Sequence, residues 1–498
     1  MPSADLDKQR VADQLQGRPQ DGPVSSASST YRAIKLGLLA ILLAPILLNL
    51  RWLLSAFGPG SRMPAFWVRN STSSQTECFN VRGGPSFRFC EDIEFIPRGD
   101  GETATALISC DAGRAQWNTV MGPLTDPLPR GQLFTYTYPT SPSSPRAGAV
   151  PVDLVDFPPN STFHPLGLSV HRTSTGLTLF VVNHRSESSS VELFRLSPPS
   201  GEGRWQARWQ RSIVHPLATH TPNSIHALDG SSFVISNDHL FARRPGPWST
   251  HLVPLLEHVL PRVTPSWVLR RLARPASVRW VAARLAQAET LLGLPLGWVS
   301  HVHFSLDGDE GEVVDARVVA KGVPFANGLV VTHDTLIVAS TTYPGVFMYD
   351  IHPNWNLQLR TKVHLPFRPD NLALSTGKGE EMLLATGHPA PFKLMAMARD
   401  PMRRTSPSWS VGIRPSAGKE RVDDAPLPSQ QMSLSSSEEW NVRTLFQTTG
   451  EPVVMGKEEV RLASSASSYY HTYEEDGTGT LLVSGLYDGV LACTGVST

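Results

Sequence analysis

The stretch Val323-Pro-Phe-Ala-Asn-Gly-Leu-Val-Val331 decides the fold, because it sets one amide, that of Asn327, at the mouth of an apolar run. The residues after Gly328 are typical of a buried strand. A buried amide without a partner costs about 1–3 kcal/mol. The sequence therefore predicts that Asn327 has a binding partner in the folded protein.

Three other stretches also place an oxygen-bearing side chain beside an apolar run. They are Glu91-Asp92 before Ile93-Glu-Phe-Ile96, Asn223 before Ser224-Ile225, and Asp370-Asn371 before Leu372-Ala-Leu374. None of these donors is a thiolate, so together they indicate one hard cation, and Ca²⁺ takes about 6–8 oxygen ligands. A β-propeller, whose inner strands converge on an axis, would bring the four stretches together. The alternative is that each Asn or Asp only forms a turn at the end of its strand.

Length and composition set broad limits on the fold and its partners. A chain of 498 residues holds one large β domain or two to three ordinary domains. The formal net charge is zero, which implies no polybasic or polyacidic partner, and nucleic-acid binding has no support beyond local arginines. Charged residues make up 18% and apolar residues 40%, as in a globular protein with Ser/Pro-rich stretches.

The N-terminal segment predicts a membrane anchor. Residues 1–32 are polar and are predicted to be a disordered cytosolic tail. The apolar run that follows is shorter than the roughly 20 residues that cross a bilayer, but taken over 33–57 the segment spans, with Arg51 reaching the interface. A cleaved signal peptide and a buried core helix are the alternatives. The long polar head favours an uncleaved signal anchor.

Behind the anchor, residues 58–77 are predicted to be a linker that leads to a lumenal or extracellular domain. Asn70-Ser-Thr72 and Asn160-Ser-Thr162 are glycosylation acceptor sequences, which are meaningful only on that side of the membrane. The predicted location is therefore the secretory pathway, as a single-pass membrane protein. If the N-terminal segment is cleaved, the protein is instead secreted.

Four cysteines are too few for a disulfide framework, so any bridges would act as staples. Cys78 opens the β-rich region and Cys493 nearly ends it, as expected if a bridge closes a ring of blades in an oxidising compartment. Cys90 and Cys110 flank a predicted hairpin. They either pair across it or remain buried free thiols.

Residues 78–498 alternate short β-rich runs with turns, without a clean repeat signature, so the predicted blades are divergent. Two insertions interrupt the pattern. Residues 243–300 are predicted to be helical, and their apolar stripe consists of Val278, Val281, Leu285, Ala288 and Leu292. These helices either pack on the propeller or lie at a membrane surface. Residues 400–440 are Ser/Pro/Arg-rich and are predicted to be a flexible loop.

Motifs in a fixed order carry a family resemblance. They are Cys78 with Glu91-Asp92-Ile-Glu-Phe-Ile-Pro97, Val181-Val-Asn-His184 followed by Val191-Glu-Leu-Phe194, Ser236-Asn-Asp-His-Leu-Phe241, Phe325-Ala-Asn-Gly328, Asn354-Trp355, Asp370-Asn371, Gly387-His-Pro389 and Cys493. The ordered set resembles the paraoxonase/arylesterase family, calcium-dependent lactonases and arylesterases. The resemblance covers residues 78–493 apart from the two insertions. It implies an all-β fold, a six-bladed β-propeller, here with an N-terminal membrane-anchor helix and a helical insertion.

The resemblance also implies roles for individual residues. The implied ligands of a catalytic calcium are Glu91, Asn223, Asn327, Asp370 and Asn371. His184 would belong to a catalytic histidine pair, with Asp238 as its supporting carboxylate. Cys78 and Cys493 would form the closing disulfide. An uncleaved hydrophobic N-terminal segment is a further family feature.

Two departures from the family pattern stand out. In Phe163-His-Pro-Leu-Gly167, Leu166 stands where the family has the first histidine of the pair. His164 lies two residues earlier, on the same face of an extended segment, and is the candidate substitute. The family's second, structural calcium draws on Asp92, a backbone carbonyl near Leu168 and a carboxylate where this chain has Ser224. We therefore expect that second site to be altered or empty.

The sequence thus predicts a calcium-dependent hydrolase of carboxylic esters, an arylesterase or lactonase. Calcium would polarise the ester carbonyl and stabilise the oxyanion, while His184 helps to activate water. The main alternative is a non-catalytic, membrane-tethered calcium-binding propeller that binds lipid or protein through its helical insertion. A propeller of the strictosidine-synthase type is a third, weaker hypothesis. The predicted partners are a small ester or lactone and the membrane.

Overall fold

The computed structural model describes most of the chain from residue 63 onward. The described ranges are 63–70, 75–96, 104–141, 144–201, 203–244, 275–305, 313–377, 381–416, 440–473 and 477–498, with the isolated residues Leu36, Gly37, Ala44 and Leu47. Contacts divide the chain into two compact units, Met1–Leu48 and Asn49–Thr498. Among the described residues, no helix is long and apolar enough to cross a membrane. The predicted tail (1–32) lies outside the described residues and the anchor (33–57) almost entirely so; both remain predictions.

In the described part of the second unit, the main strands form six antiparallel sheets, each with four strands side by side. Blade one contains β3 (Cys90–Phe95), β4 (Thr105–Cys110), β5 (Gln132–Thr137) and β6 (Val150–Pro151). Blade two contains β8 (Pro165–Thr173), β9 (Gly176–Asn183), β10 (Ser190–Ser197) and β11 (Gln206–Ile213), with β7 (Asp153–Val155) along β11. Blade three contains β12 (Pro222–Ala227), β13 (Ser232–Asn237), β14 (Gly297–Phe304) and β15 (Val313–Val323).

The second half of the unit repeats this plan. Blade four contains β16 (Ala326–Thr332), β17 (Thr335–Ser340), β18 (Gly345–His352) and β19 (Asn356–His364). Blade five contains β20 (Arg368–Leu374), β22 (Leu383–His388), β23 (Ser408–Pro415) and β24 (Trp440–Thr448), with β1 (Phe66–Val68) along β24. Blade six contains β27 (Ser465–Thr472), β28 (Gly479–Gly485), β29 (Val490–Val496) and β2 (Glu77–Asn80), with β21 (Thr376–Gly377) along β27. A hairpin of β25 (Val453–Met455) and β26 (Glu458–Val460) stands apart.

The first strands of the blades surround one axis. Contacts run from β3 to β8, then to β12, β16, β20 and β27, and from β27 back to β3. This closed ring confirms the predicted six-bladed β-propeller. The apolar core lies between neighbouring blades; one core cluster, for example, joins Leu166, Phe180 and Phe233 of blades two and three.

The ring closes with strands from both ends of the unit. β2 pairs antiparallel with β29, and Cys78 lies opposite Cys493. The two cysteines form the predicted disulfide. The linker prediction for 58–77 is therefore wrong for part of this segment. β1 pairs with β24 of blade five, and the first residue of β2 pairs with β29 of blade six.

The second cysteine pair is also oxidised. Cys90 and Cys110 face each other across the β3–β4 hairpin and form a disulfide. Because the two sulfurs are joined, the alternative of buried free thiols is wrong. Both residues are fully buried.

The predicted helical insertion, 243–300, contains helix α1 (Pro275–Leu292), while its last residues already belong to β14. Residues 245–274 lie outside the described part of the chain. The predicted apolar stripe is not the buried face, since Leu285 is exposed and Glu289 is buried. The reason is that the Glu289 carboxylate accepts the backbone N–H groups of Leu240 and Phe241 at 2.9 and 2.8 Å. A second helix, α2 (Pro391–Arg399), was not predicted.

The flexible-loop prediction for 400–440 is wrong for β23, which lies between β22 and β24. Trp409, Val411 and Ile413 alternate along it and are at most 1% exposed. The small polar residues between them are also buried; Ser410, for example, accepts a hydrogen bond from Thr386 at 2.9 Å. Serine therefore marks buried hydrogen bonding here and not a loop. Residues 417–439 lie outside the described residues.

Replacing Cys78 and Cys493 together by alanine should lower the free energy of unfolding by about 2–5 kcal/mol, because the two residues are 415 positions apart. Chemical unfolding followed by circular dichroism measures the loss. Replacing Cys90 and Cys110 by alanine is the matched control, since only 20 positions separate them and the gain from closing a loop grows with its length. Equal losses from both pairs would contradict a specific role for ring closure.

Candidate functional site

The predicted calcium ligands lie on the first strands of four blades. Glu91 is on β3, Asn223 on β12, Asn327 on β16, and Asp370 and Asn371 on β20. All five side chains are buried, with at most 7% exposed. Because first strands surround the axis, short polar side chains from distant parts of the sequence meet there.

Hydrogen bonds connect these side chains directly. The Asn371 amide donates to Glu91 Oε1 at 2.9 Å, which joins blades five and one. The Asn327 amide donates to Asp370 Oδ1 at 2.6 Å, which joins blades four and five. The Asn223 amide donates to Asp238 Oδ2 at 3.4 Å, so its recorded partner lies outside the other four residues.

Four oxygens in this set are buried without a hydrogen-bond partner. They are Glu91 Oε2, Asn223 Oδ1, Asn327 Oδ1 and Asn371 Oδ1. Each asparagine uses its nitrogen to donate to a neighbour and keeps its oxygen unpaired. A buried unpaired acceptor costs about 1–3 kcal/mol, so four of them favour a bound cation. Uncharged and anionic oxygens are the ligands that Ca²⁺ prefers.

The charges at the site also favour a cation. Burial raises the pKa of Glu91 well above its usual range, and the neighbouring charges of Asp92 and Asp370 raise it further. The nearby Arg114 guanidinium opposes this shift only in part. Among the described residues, His, Cys, Asp and Glu alone form no metal-binding group of three or more; three of the five residues at this site are asparagines.

Asp92 lies next to this set but is already occupied by the backbone. Its Oδ1 accepts the N–H of Ile93 and its Oδ2 the N–H of Leu168, both at 2.9 Å. Burial raises the pKa of Asp92 to about 6. Ser224 Oγ accepts the N–H of Leu329 at 3.3 Å. These bonds favour the prediction of an altered second site, which stays a prediction.

His184 is buried and held by two hydrogen bonds. Its Nε2 donates to the Pro222 carbonyl at 2.7 Å, and its Nδ1 therefore accepts the Thr119 hydroxyl at 2.6 Å. Burial lowers the pKa of His184 to about 4. The imidazole is thus neutral and fixes the backbone beside Asn223.

Asp238 does not hydrogen bond His184, although both line one narrow cavity. Its partner is the adjacent His239, with Oδ1 and Nδ1 2.8 Å apart. Burial alone would lower the pKa of His239, but the Asp238 charge and hydrogen bond, with the charge of Glu289, raise it above the usual value. Sequence reasoning missed His239, although the Asp-His dipeptide was the available signal.

The other side of the His239 ring contacts α1. Its Nε2 lies 2.6 Å from Thr290 Oγ1. The Thr290 hydroxyl also lies 3.0 Å from the Ala286 carbonyl, to which it can donate. When it donates there it can accept from a protonated Nε2, and after rotation it can donate to a neutral one. The same hydroxyl therefore serves both protonation states of the imidazole.

His164 does not occupy the place of the missing histidine. Its Nδ1 lies 3.0 Å from Asp111 Oδ2, and its Nε2 lies 3.0 Å from the Pro127 carbonyl. Both ring nitrogens are therefore engaged by oxygen atoms. Leu166 packs in the apolar core beside Phe180. These contacts do not favour His164 as the substitute for the missing histidine, and its catalytic role stays a prediction.

A cavity of about 670 Å³ lies beside two residues that contact the acceptor set. Its walls come from residues 120–123, α1 and α2, and His388 and Thr341 also line it. His388 Nε2 donates to Asp370 Oδ2 at 2.9 Å, while its buried Nδ1 has no partner. Thr341 Oγ1 accepts from Asn327 at 2.9 Å. The cavity thus reaches two residues that directly contact the acceptor set.

Comparisons with known proteins show what parts of the chain are similar to. A family model described as Arylesterase matches residues 280–416, the part of the chain that contains Asn327, Asp370, Asn371 and His388. Serum paraoxonase/lactonase 3 from Oryctolagus cuniculus is 27% identical over 244 residues, which is 47% of this chain and 51% of the relative.

Serum paraoxonase/arylesterase 1 from Mus musculus is 26% identical over 223 residues, which is 44% of this chain and 48% of the relative. The chain spans about half the length of the curated relatives it matches. These matches confirm the resemblance that the sequence predicts: about half of the chain is similar to serum paraoxonases, and residues 280–416 are similar to the Arylesterase family.

Proposed function

We propose that this chain is a calcium-dependent hydrolase of carboxylic esters, including lactones. The observation that carries the proposal is the set of four unpartnered, buried oxygens on the axis, contributed by four blades. The names of the relatives, paraoxonase, arylesterase and lactonase, support ester or lactone hydrolysis as the class of reaction.

The residues that would hold calcium are Glu91, Asn223, Asn327, Asp370 and Asn371. Bound there, calcium would polarise an ester carbonyl and stabilise the negative charge that develops on its oxygen. The protein's own part is to keep these oxygens in place. Asn371 donates a hydrogen bond to Glu91, and Asn327 donates one to Asp370. His388 donates to the second Asp370 oxygen.

We assign the proton acceptor to His239, oriented by Asp238. The carboxylate keeps a proton on Nδ1, so Nε2 is the nitrogen that exchanges protons, and Thr290 connects it to the large cavity. A water in the cavity would pass its proton through the Thr290 hydroxyl. His184, with a pKa of about 4, acts instead as a positioning residue, because it fixes Pro222 next to Asn223.

One observation favours the non-catalytic alternative. Leu166 and His164 leave the chain without the histidine pair that the family resemblance implies. A calcium-binding propeller without turnover would still need the acceptor set, so calcium binding alone does not separate the two functions.

We further propose that the propeller is located in the secretory pathway, anchored by residues 33–57. Two disulfides support an oxidising compartment. Asn70 and Asn160 are both exposed, as glycosylation requires.

Replacing Asn327 by alanine should weaken calcium binding at least about tenfold, since even second-shell losses cost about 10–100-fold, and should abolish ester hydrolysis at moderate calcium. Isothermal titration calorimetry and an aryl-ester and lactone panel measure the two effects. Asn356→Ala, at an exposed asparagine on β19, is the matched control. Hydrolysis that persists undiminished in chelator would remove calcium from the mechanism.

The rate of hydrolysis should rise with pH as His239 loses its proton, with a midpoint above the usual histidine pKa, because Asp238 stabilises the protonated imidazole. Asp238→Asn should shift that midpoint to lower pH and slow the reaction. His239→Gln should reduce kcat/KM by about 10²–10⁴-fold. His352→Gln, at an exposed histidine, serves as the control. An unshifted profile in Asp238→Asn would exclude His239 as the base.

A further inference from the structure

The large cavity has a strongly one-sided charge. Its lining contains four arginines, Arg243, Arg284, Arg368 and Arg399. No aspartate or glutamate occurs among the described residues that line it. Glu289, although on α1, is not part of the lining and is engaged by two backbone N–H groups. The described lining therefore supplies guanidinium groups and no carboxylate.

The remaining lining is largely apolar. It includes Met121, Leu291, Phe325, Phe392, Leu394 and Met395. Ligand cavities of about 300–1,000 Å³ hold small organic molecules and use apolar walls with a few polar groups that orient the ligand. This cavity, at about 670 Å³, is in that range. Its walls fit an aliphatic chain or an aromatic ring.

Arg243 is the arginine best placed to receive an anion. Within the described part of the chain, its recorded hydrogen bond is the one from Nε to the Val120 carbonyl, at 3.1 Å. No partner of its terminal nitrogens is found among the described residues. Burial and the like charge of Arg284 lower the pKa of Arg243, and the charge of Asp238 opposes part of this shift, so an anion beside Arg243 would relieve the remaining repulsion. The adjacent Arg244, in contrast, is bonded to Arg185 and Ser189.

Arg399, which is exposed at the end of α2, offers a second guanidinium group to the anion. A guanidinium binds a carboxylate through two parallel hydrogen bonds, which makes it selective for planar anions. A neutral ligand would cover these charges without pairing them, and covering an unpaired charge is costly.

We propose that the cavity selects amphipathic esters or lactones whose apolar body carries a carboxylate, which Arg243 and Arg399 bind. The choice of substrate class rests on the proposed function, ester hydrolysis at the acceptor oxygens. The preference for an anion itself depends only on the charge and shape of the cavity.

The first test compares two esters of the same chain length on the full chain with calcium present. One is para-nitrophenyl hexanoate, and the other is the mono-para-nitrophenyl ester of adipic acid, which adds a terminal carboxylate. We expect kcat/KM to be at least about tenfold higher for the adipate ester, the effect of one charge-assisted pair. Arg243→Gln should bring the ratio towards one, and Arg243→Lys should retain part of it.

Arg204→Gln is the matched control, since Arg204 is half exposed and pairs with Asp153 far from the cavity lining; its ratio should equal that of the wild type. A wild-type ratio near one, with both esters hydrolysed, would overturn the anion preference and leave the proposed function intact.

The second test needs no catalysis. Calorimetry on the same calcium-loaded chain compares decanoate with decanamide, which differ in charge but hardly in shape. Decanoate should bind at least about tenfold more tightly, and Arg243→Gln should remove the difference. If neither ester is hydrolysed but decanoate binds more tightly, the proposed function fails and the anion preference stands. Equal binding of the two ligands would overturn the preference.

Discussion

The centre of this propeller depends on one constraint: several short side chains must stay buried while their oxygens remain unpaired. An unpaired amide or carboxylate oxygen normally forms a hydrogen bond with the nearest donor. Here each asparagine nitrogen is bonded to a neighbour, and the inner strands hold the side chains apart. The apolar contacts between blades offset the free-energy cost of the unpaired acceptors. The ring therefore serves as a rigid support for an arrangement that the side chains would not keep by themselves.

The buried histidines are also held by hydrogen-bond partners, but these partners affect each imidazole differently. His184, His239 and His164 are all buried, and they differ in their hydrogen-bond partners. His184 is buried between a carbonyl and a hydroxyl and stays neutral. His239 is equally buried, but a carboxylate on its other nitrogen raises its pKa. His164 contacts Asp111 and the Pro127 carbonyl. Proximity to the site thus predicts the role of a histidine poorly. That role depends on which group contacts the second ring nitrogen.

Much of this could be predicted from sequence, because the signals were local. An oxygen-bearing residue at the start of an apolar strand indicated each inner strand, and the positions of the first and last cysteines indicated the bridge. Long-range choices could not be predicted. Whether Asp238 faces His184 or His239 depends on side-chain directions. The buried serines of β23 resembled a loop because composition does not reveal which hydroxyls find partners inside a sheet.

The sixth blade is built from both ends of the folded unit, with β2 paired to β29. The ring therefore cannot close until β29 has been synthesised. Until then, both β2 and β28 present open edges to solvent, and unpaired edges invite association with other chains. The folded unit is consequently prone to association until β29 pairs, and β29 matters for the yield of the protein as much as for its final shape.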